Sequence, residues 1–140
     1  MIQKILVGYD GTEPSERALE FALSLVETTA SESSEIHLVF VVDRPAGIPD
    51  PIPDEVIESL QRAGQDILSE GARTVKKKFE TPSTHLEFGS PANKILEIAD
   101  RLKPDLIVIG IAKHPASDRI LGTVSSLLFK ARRHPVLGIP

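Results

Sequence analysis

The sequence predicts an α/β protein with an open parallel sheet of five strands and helices on both faces. Short apolar runs alternate with longer segments of helical periodicity, in the order β-α-β-α-β-α-β-α-β. The run at residues 36–42 is nearly continuous in apolar residues and rich in β-branched ones, which is typical of a strand covered on both faces. At 140 residues and 41% hydrophobic content, the chain can bury a core without disulfides. We therefore expect a single domain spanning residues 1–140.

The predicted strands are short, and the first leads from its apolar residues into Gly8-Tyr9-Asp10-Gly11. Each run is bounded by glycine, proline or polar residues, as expected for strands that end in loops. The predicted strands cover residues 2–7, 36–42, 85–88, 105–110 and 135–139.

Four helices are predicted between these strands. Thr12 is the expected N-cap of the first helix and Ser90 that of the third, each followed closely by a proline suited to a first turn. The second helix follows the proline-rich residues 43–53, and the fourth covers residues 122–133. Gly64 and Gly71 would weaken the second helix unless close packing requires them.

Composition argues against several classes of partner. The net charge is −4, aromatic residues make up 4% and there is no Trp, so we expect no nucleic-acid binding. The longest apolar runs are far shorter than a membrane span, and no signal-peptide pattern precedes the first strand. With no Cys in addition, we expect a cytoplasmic protein without a membrane partner.

A ligand site is expected at the carboxyl ends of the central strands. In open parallel sheets, ligands bind where the strand order reverses, and the common five-stranded orders place the first strand in the centre. Its exit carries Tyr9, Asp10, Gly11 and Thr12, and the neighbouring fourth strand ends at Gly110. These two polar, glycine-containing exits should lie beside one another.

The start of the fourth helix is a candidate anion site. Gly122, Thr123, Val124 and Ser125 combine exposed backbone N–H groups with hydroxyls at the positive end of a helix. Ordinary helix capping is the alternative explanation, because such residues are common at helix starts. Neither a GxxxxGK[ST] loop nor a GxGxxG loop after the first strand is present.

Five segments of the chain form one set of motifs: Val7-Gly8-Tyr9-Asp10-Gly11-Thr12, Gly89-Ser90-Pro91-Ala92, Pro104-Asp105-Leu106-Ile107-Val108-Ile109-Gly110, Leu121-Gly122-Thr123-Val124-Ser125 and His134-Pro135-Val136-Leu137. In this order and spacing they resemble the universal stress protein family over nearly the whole chain. The resemblance implies a Rossmann-like, adenine nucleotide alpha-hydrolase-like fold with strand order 3-2-1-4-5, and homodimers formed through the C-terminal strand. It also implies that Asp10 faces the ribose and adenine side of a nucleotide and that Val41 lines the adenine pocket.

The phosphate loop departs from the family's pattern G-x2-G-x9-G-[ST]. Gly110 matches the first glycine and Gly122-Thr123 the final pair, but Lys113 replaces the middle glycine. Eight residues, not nine, separate Lys113 from Gly122. A lysine in place of glycine crowds the phosphate space, whereas its ammonium could make a charge-assisted contact with a phosphate.

Two functions are therefore compatible with the sequence. The first is a stress-response or signalling protein that binds an adenine nucleotide, ATP with Mg²⁺, through the residues named above. The second is a dimeric protein-interaction module of the same family that binds no nucleotide. Asp10 could instead only cap the loop that follows it.

Enzyme activity is the less favoured expectation. For ATP hydrolysis only Asp10 and Asp118 are carboxylate candidates, so no catalytic residue is assigned and weak hydrolysis is the most we expect. His37, His85 and His134 fall on different elements without the spacing of metal ligands, and His114 before Pro115 is expected to be exposed. No metal site is predicted.

Overall fold

The computed structural model describes residues 2–29, 33–44, 47–111 and 123–140. Its five strands form one parallel sheet in the order β3-β2-β1-β4-β5, which confirms the expected fold. Helices cover both faces, so the sheet is the middle layer of three. The elements are β1 (Lys4–Gly8), α1 (Glu13–Thr29), β2 (Glu35–Val42), α2 (Asp54–Lys76), β3 (Ser83–Phe88), α3 (Pro91–Leu102), β4 (Leu106–Gly110), α4 (Thr123–Ala131) and β5 (Val136–Ile139).

The central strand β1 separates two hydrophobic cores. Ile5, Leu6 and Val7 are all fully buried, because β1 has a helical layer on each side. Ile5 and Val7 pack with α1 and α2 on one face, whereas Leu6 packs with α3 and α4 on the other. This alternation follows from the two-residue period of a strand. None of the helices in the described ranges is long and apolar enough to cross a lipid bilayer.

Several predicted boundaries were wrong by one or two residues. β1 begins at Lys4, not at residue 2, and β3 begins at Ser83, not at residue 85. β4 and β5 each begin one residue later than predicted, and α4 ends at Ala131. The periodicity of apolar residues does not show where hydrogen-bonded pairing of strands begins, so strand ends are the least certain part of such a prediction.

Asp105 explains why β4 starts late. Its carboxylate Oδ2 accepts hydrogen bonds from the backbone N–H groups of Gln3 and Lys4, both at 2.9 Å. Its own N–H donates to the carbonyl of Lys4 at 2.8 Å. These backbone donors lower the pKa of Asp105 below its ordinary value. The residue therefore fastens the entrances of β1 and β4 together instead of extending the strand.

The glycines of α2 lie where the helix packs closely on the sheet. A Cβ at Gly64 would lie 2.6 Å from Cδ1 of Leu86 on β3. A Cβ at Gly71 would lie 2.9 Å from Cδ1 of Leu38 and 3.0 Å from the ring of Tyr9. A Cβ at either position would displace these side chains, so glycine lets α2 lie close to β2 and β3 without such shifts.

Both expected N-caps immediately precede their helices, but Ser90 does not cap its helix through the side chain. Ser90 immediately precedes α3, yet its side chain makes no capping hydrogen bond, and Pro91 offers no N–H at the first helical position. Thr12 immediately precedes α1, and its hydroxyl donates to Asp10. The proton of the Thr12 hydroxyl is therefore donated to the Asp10 carboxylate of the preceding loop.

Candidate functional site

A cavity of about 360 Å³ opens at the carboxyl ends of the central strands β1 and β4. It falls within the size range of small-molecule sites, at the place where the order of an open sheet reverses. Eight of the predicted site residues line it together: Tyr9, Asp10, Thr12, Val41, Gly110, Thr123, Val124 and Ser125. Gly11 lies in the same loop without lining the cavity, and Lys113 and Gly122 lie outside the described residues.

Sequence reasoning missed several apolar residues of the wall. Val39, Ile95, Ile109 and Ile111 also line the cavity. A signal for Val39 was available, because it lies two residues before Val41 and therefore on the same face of β2. No sequence signal distinguished the others from ordinary core residues.

The loop after β1 is held by Asp10. Its Oδ1 accepts hydrogen bonds from the backbone N–H and the hydroxyl of Thr12, at 3.0 and 2.5 Å. Gly11 between them has φ +80°, a left-handed conformation that favours glycine. This is an Asx-type turn, so the contact expected from a purely structural Asp10 is present. Within the described residues, Oδ2 of Asp10 accepts no hydrogen bond.

Ser15 closes the same loop from the first turn of α1. This buried hydroxyl donates to the carbonyl of Thr12 at 2.8 Å and accepts from the N–H of Asp10 at 3.4 Å. The N–H of Tyr9 donates to the carbonyl of Val39 at 2.8 Å, which extends the pairing of β1 and β2 beyond the strand end. The position of Asp10 at the cavity is thus fixed from both sides.

Tyr9 anchors the loop in the core below it. Its ring is buried against Gly71 of α2. Burial raises the pKa of Tyr9, and the nearby carboxylates of Glu16 and Glu70 add to the effect. The phenol therefore stays protonated at neutral pH.

Gly110 at the end of β4 lies against the backbone of α1. A Cβ there would be 2.4 Å from the carbonyl carbon of Pro14 and 2.6 Å from the nitrogen of Ser15. The glycine that matches the start of the family's phosphate loop is therefore also required by helix–strand packing.

The first turn of α4 forms the opposite wall. Thr123, Val124 and Ser125 line the cavity there, with Ser125 buried. A helix start offers backbone N–H groups and a positive dipole end to an anion. Among the described lining residues, Asp10 is the only one that is charged at neutral pH.

The structure brings together two histidines that sequence reasoning left apart. Nδ1 of His37 lies 3.1 Å from Nε2 of His85, on the neighbouring strand β3. His134 contacts Asp100, which also binds Arg133, and these contacts lower the pKa of Asp100. In the ranges that the structure describes, no cluster of three or more metal-ligating side chains occurs.

The fold and the cavity define an open-sheet α/β protein with a pocket at its central strand ends. The chain belongs to the universal stress protein family, which its residues 1–140 match. Universal stress protein MJ0531 of Methanocaldococcus jannaschii is 30% identical over 141 residues, covering 98% of this chain and 81% of the relative. Universal stress protein YxiE of Bacillus subtilis is 29% identical over 145 residues, covering 98% of each.

Solved structures of the family share the fold. A Burkholderia pseudomallei family member superposes with a TM-score of 0.78 at 24% identity, covering 99% of this chain and 96% of the other. An Arabidopsis thaliana family protein with AMP bound gives 0.72 at 22% identity, over 98% and 90%. The Archaeoglobus fulgidus protein in complex with dAMP gives 0.70 at 23% identity, over the whole of both chains.

Proposed function

We propose that this protein binds an adenine nucleotide in the cavity between β1, β4 and α4. The observation that carries the proposal is the convergence of apolar strand residues, the Asp10 loop and a helix N-terminus on one cavity. An apolar wall suits a base, a carboxylate suits ribose hydroxyls, and a helix start suits a phosphate. Structures of family proteins with AMP and with dAMP support the same ligand class.

The proposal assigns each part of the nucleotide to a part of the cavity. Val39 and Val41 on β2 would contact the adenine. Asp10 would accept hydrogen bonds from the ribose through Oδ2, while Oδ1 stays on Thr12. Thr123 and Ser125 at the start of α4 would meet the phosphates, together with Gly122 and Lys113 from the sequence.

ATP with Mg²⁺ is the specific ligand that we propose. Titration calorimetry of the purified protein with ATP, with and without Mg²⁺, should show saturable heat, and the ligand should raise the thermal midpoint by mass action. At about millimolar ATP, even a binding free energy of about −4 kcal/mol is detectable. If neither heat nor thermal stabilisation is observed at that concentration, nucleotide binding is contradicted. That outcome would favour the protein-interaction module instead.

Asp10→Asn separates the two roles of the Asp10 side chain. An asparagine oxygen can still accept from the backbone of Thr12, so the turn should persist. The negative charge facing the cavity is lost, and nucleotide affinity should fall roughly tenfold, as expected for one charge-assisted hydrogen bond. Asp43→Asn is the matched control, because Asp43 also follows a strand and accepts from the next backbone N–H, at 2.8 Å, but does not line the cavity. Equal affinities in the two variants would remove Asp10 from the ligand site.

Lys113→Gly tests the altered phosphate loop. The substitution restores the glycine of the family pattern at the position that Lys113 occupies in the sequence. Weaker ATP binding in the variant would mean that the ammonium contacts the phosphates, whereas tighter binding would mean that the side chain obstructs them. AMP serves as the reference ligand, since a contact with the distal phosphates should not affect it.

We also propose that the protein forms homodimers through β5. This strand lies at one edge of the sheet, where unpaired backbone groups offer a template for a second copy. Two apolar side chains flank this strand, and one of them, Phe129 of α4, lies beside Gly138. The other, Phe21 of α1, lies one helical turn from Arg17, whose Nε donates to the carbonyl of Pro140 just after the strand. Phe21 is 43% exposed and Phe129 39%, which is more exposure than a covered core residue would have.

Sedimentation velocity tests the dimer. Phe21→Glu places a charge beside β5 and should convert the dimer to a monomer. Ile57→Glu is the control, because Ile57 is an apolar residue of similar exposure on α2. This helix contacts β2 and β3, away from β5, so the substitution should leave the dimer intact. A wild-type protein that sediments as a monomer would exclude the β5 dimer.

A cytoplasmic stress-response or signalling role is proposed on family membership, and hydrolysis of the nucleotide is not part of the proposal.

A further inference from the structure

A chain of polar contacts crosses the sheet from β1 to its edge strand β3. Lys4 Nζ lies 3.7 Å from Oε2 of Glu35, and the same oxygen lies 3.1 Å from Nε2 of His37. Nδ1 of His37 lies 3.1 Å from Nε2 of His85, with the two rings stacked at a centroid distance of 5.4 Å. His37 is buried, whereas Glu35 at the start of β2 is exposed. Both ring nitrogens of a buried histidine are therefore occupied.

The chemistry of these partners determines where the protons are. A carboxylate only accepts hydrogen bonds, so Nε2 of His37 must carry the proton that it donates to Glu35. In neutral His37 the other nitrogen, Nδ1, then has no proton and must accept from Nε2–H of His85. When both rings are neutral, the hydrogen bonds therefore run in one direction, from His85 through His37 to Glu35.

The contact between the rings tolerates one added proton but not two. A protonated His37 can donate from Nδ1 to an unprotonated Nε2 of His85, provided that His85 moves its own proton to Nδ1. Its positive charge then lies beside the Glu35 carboxylate. When both rings are protonated, two N–H groups face each other at 3.1 Å with no acceptor between them, and two stacked cations repel.

The charged groups around the pair do not compensate the second charge. Lys4 on β1 and Arg101 on α3 oppose a cation here, while Glu35 on β2 and Glu87 on β3 favour one. Glu35 is already used by His37 and Lys4, so Glu87 is the remaining carboxylate that acts on His85.

We propose that the His37–His85 pair is an acid-sensitive latch that holds edge strand β3 on β2. The pair keeps its inter-ring hydrogen bond with no added proton or with one, and the second proton breaks it. Because β3 is an edge strand, β2 is its only partner in the described sheet, and loss of this contact loosens β3 directly. His85 pairs in register with Val39, a residue of the cavity wall, so the latch lies beside the site described above.

The pKa of His85 is shifted on folding in the direction that an acid-sensitive latch requires. Burial lowers the pKa of His85, and the neighbouring charges of His37 and Arg101 lower it further. A histidine whose pKa is lower in the folded state than in the unfolded state stabilises the fold fully above the ordinary value of about 6.5. That stability is lost as the pH falls from about 6.5 through the lower folded value.

Nitrogen-15 NMR of the intact protein tests the proton arrangement. At about pH 8 the two-bond correlation spectrum should show His37 protonated on Nε2 and unprotonated on Nδ1. During acid titration the signals of both rings should move in two linked steps, as expected for coupled groups. A His37 that is protonated on Nδ1 at that pH, or rings that titrate independently, would overturn the latch.

Hydrogen exchange tests its consequence. Protection factors of the β3 amides should fall by up to about tenfold per pH unit below about pH 6.5. The reason is that the open pair of histidines can bind one proton more than the closed pair. His85→Gln keeps an N–H donor for His37 but cannot be protonated, so its β3 protection should stay constant over the same range. His134→Gln, which removes a histidine that contacts Asp100 near the other edge, should behave like wild type. Constant protection in wild type, or an equal fall in His85→Gln, would refute the proposal.

Discussion

Substitution of Gly110 by alanine should show that β4 and α1 are packed backbone to backbone. The added Cβ would lie 2.4 Å from the carbonyl carbon of Pro14, 2.6 Å from the nitrogen of Ser15 and 2.7 Å from the carbonyl oxygen of Pro14. All three atoms belong to the main chain, so no side-chain rotation can relieve the contact. Favourable carbon contacts lie near 3.5 Å, and the start of α1 would therefore have to move by about 1 Å.

The expected cost follows from the nature of that contact. Overpacking a well-packed core costs about 1–3 kcal/mol when side chains and backbone can adjust. Here the first turn of α1 must shift together with the hydrogen bonds of Ser15 to the Asp10 loop. We therefore expect a loss of about 3 kcal/mol, which is large against a typical stability of about 5–15 kcal/mol and lowers the melting temperature by roughly 10 °C.

Urea denaturation followed by circular dichroism measures this loss, with Gly8→Ala as the matched control. Gly8 also ends a central strand, but its added Cβ would lie 3.1 Å from Cγ2 of Ile109 and 3.9 Å from Cδ1 of Ile95, which are side-chain atoms able to give way. We expect Gly8→Ala to cost less than about 1 kcal/mol. If Gly110→Ala is no more destabilising than Gly8→Ala, the packing argument is wrong.

Two further substitutions test the supports of the site. Gly71→Ala should lower the stability by about 1–2 kcal/mol, because the added methyl group would press on the ring of Tyr9. It should also alter the near-ultraviolet circular dichroism spectrum, since Tyr9 is the sole tyrosine of a chain without Trp. An unchanged spectrum would contradict the contact. Asp105→Ala removes two backbone hydrogen bonds and should cost about 1 kcal/mol at neutral pH. Because the pKa of Asp105 is lowered on folding, its contribution is full above about pH 4 and is lost as the pH falls through the folded value. The stabilities of the variant and wild type, measured by urea denaturation, should therefore converge in acid, and a constant difference would be contrary to this linkage.

The fold could be predicted because its signal is spread over many residues. Buried strands such as β1 and β2 are apolar on both faces, and the helices between them repeat apolar positions at helical spacing, so single errors do not change the pattern. The error at the start of β4 occurred where one side chain decides the outcome. Asp105 lies just before β4 and accepts hydrogen bonds from two backbone N–H groups at the start of β1, and these contacts span 101 and 102 residues of the sequence.

The site could be predicted only in its outline. Loops at the ends of neighbouring parallel strands must converge, so the position of Asp10 beside Gly110 follows from topology. The His37–His85 contact does not follow in this way, because it requires the register of β2 on β3, which the sequence does not specify. The same holds for the contact of Gly110 with Pro14, since the angle at which α1 leaves β1 depends on the Asp10 turn.

Gly110 changes how the altered phosphate loop should be interpreted. A glycine that matches the family pattern would ordinarily favour phosphate binding, but here the backbone of Pro14 requires a glycine at this position whether or not a phosphate binds. Its presence therefore does not distinguish a nucleotide-binding member from one that has lost the ligand. The inference to a nucleotide depends instead on Asp10, Val41 and the Thr123 helix start, which line the cavity together. Asp10→Asn and Lys113→Gly are consequently the informative substitutions for binding, whereas loss of binding in Gly110→Ala would report only the displaced start of α1.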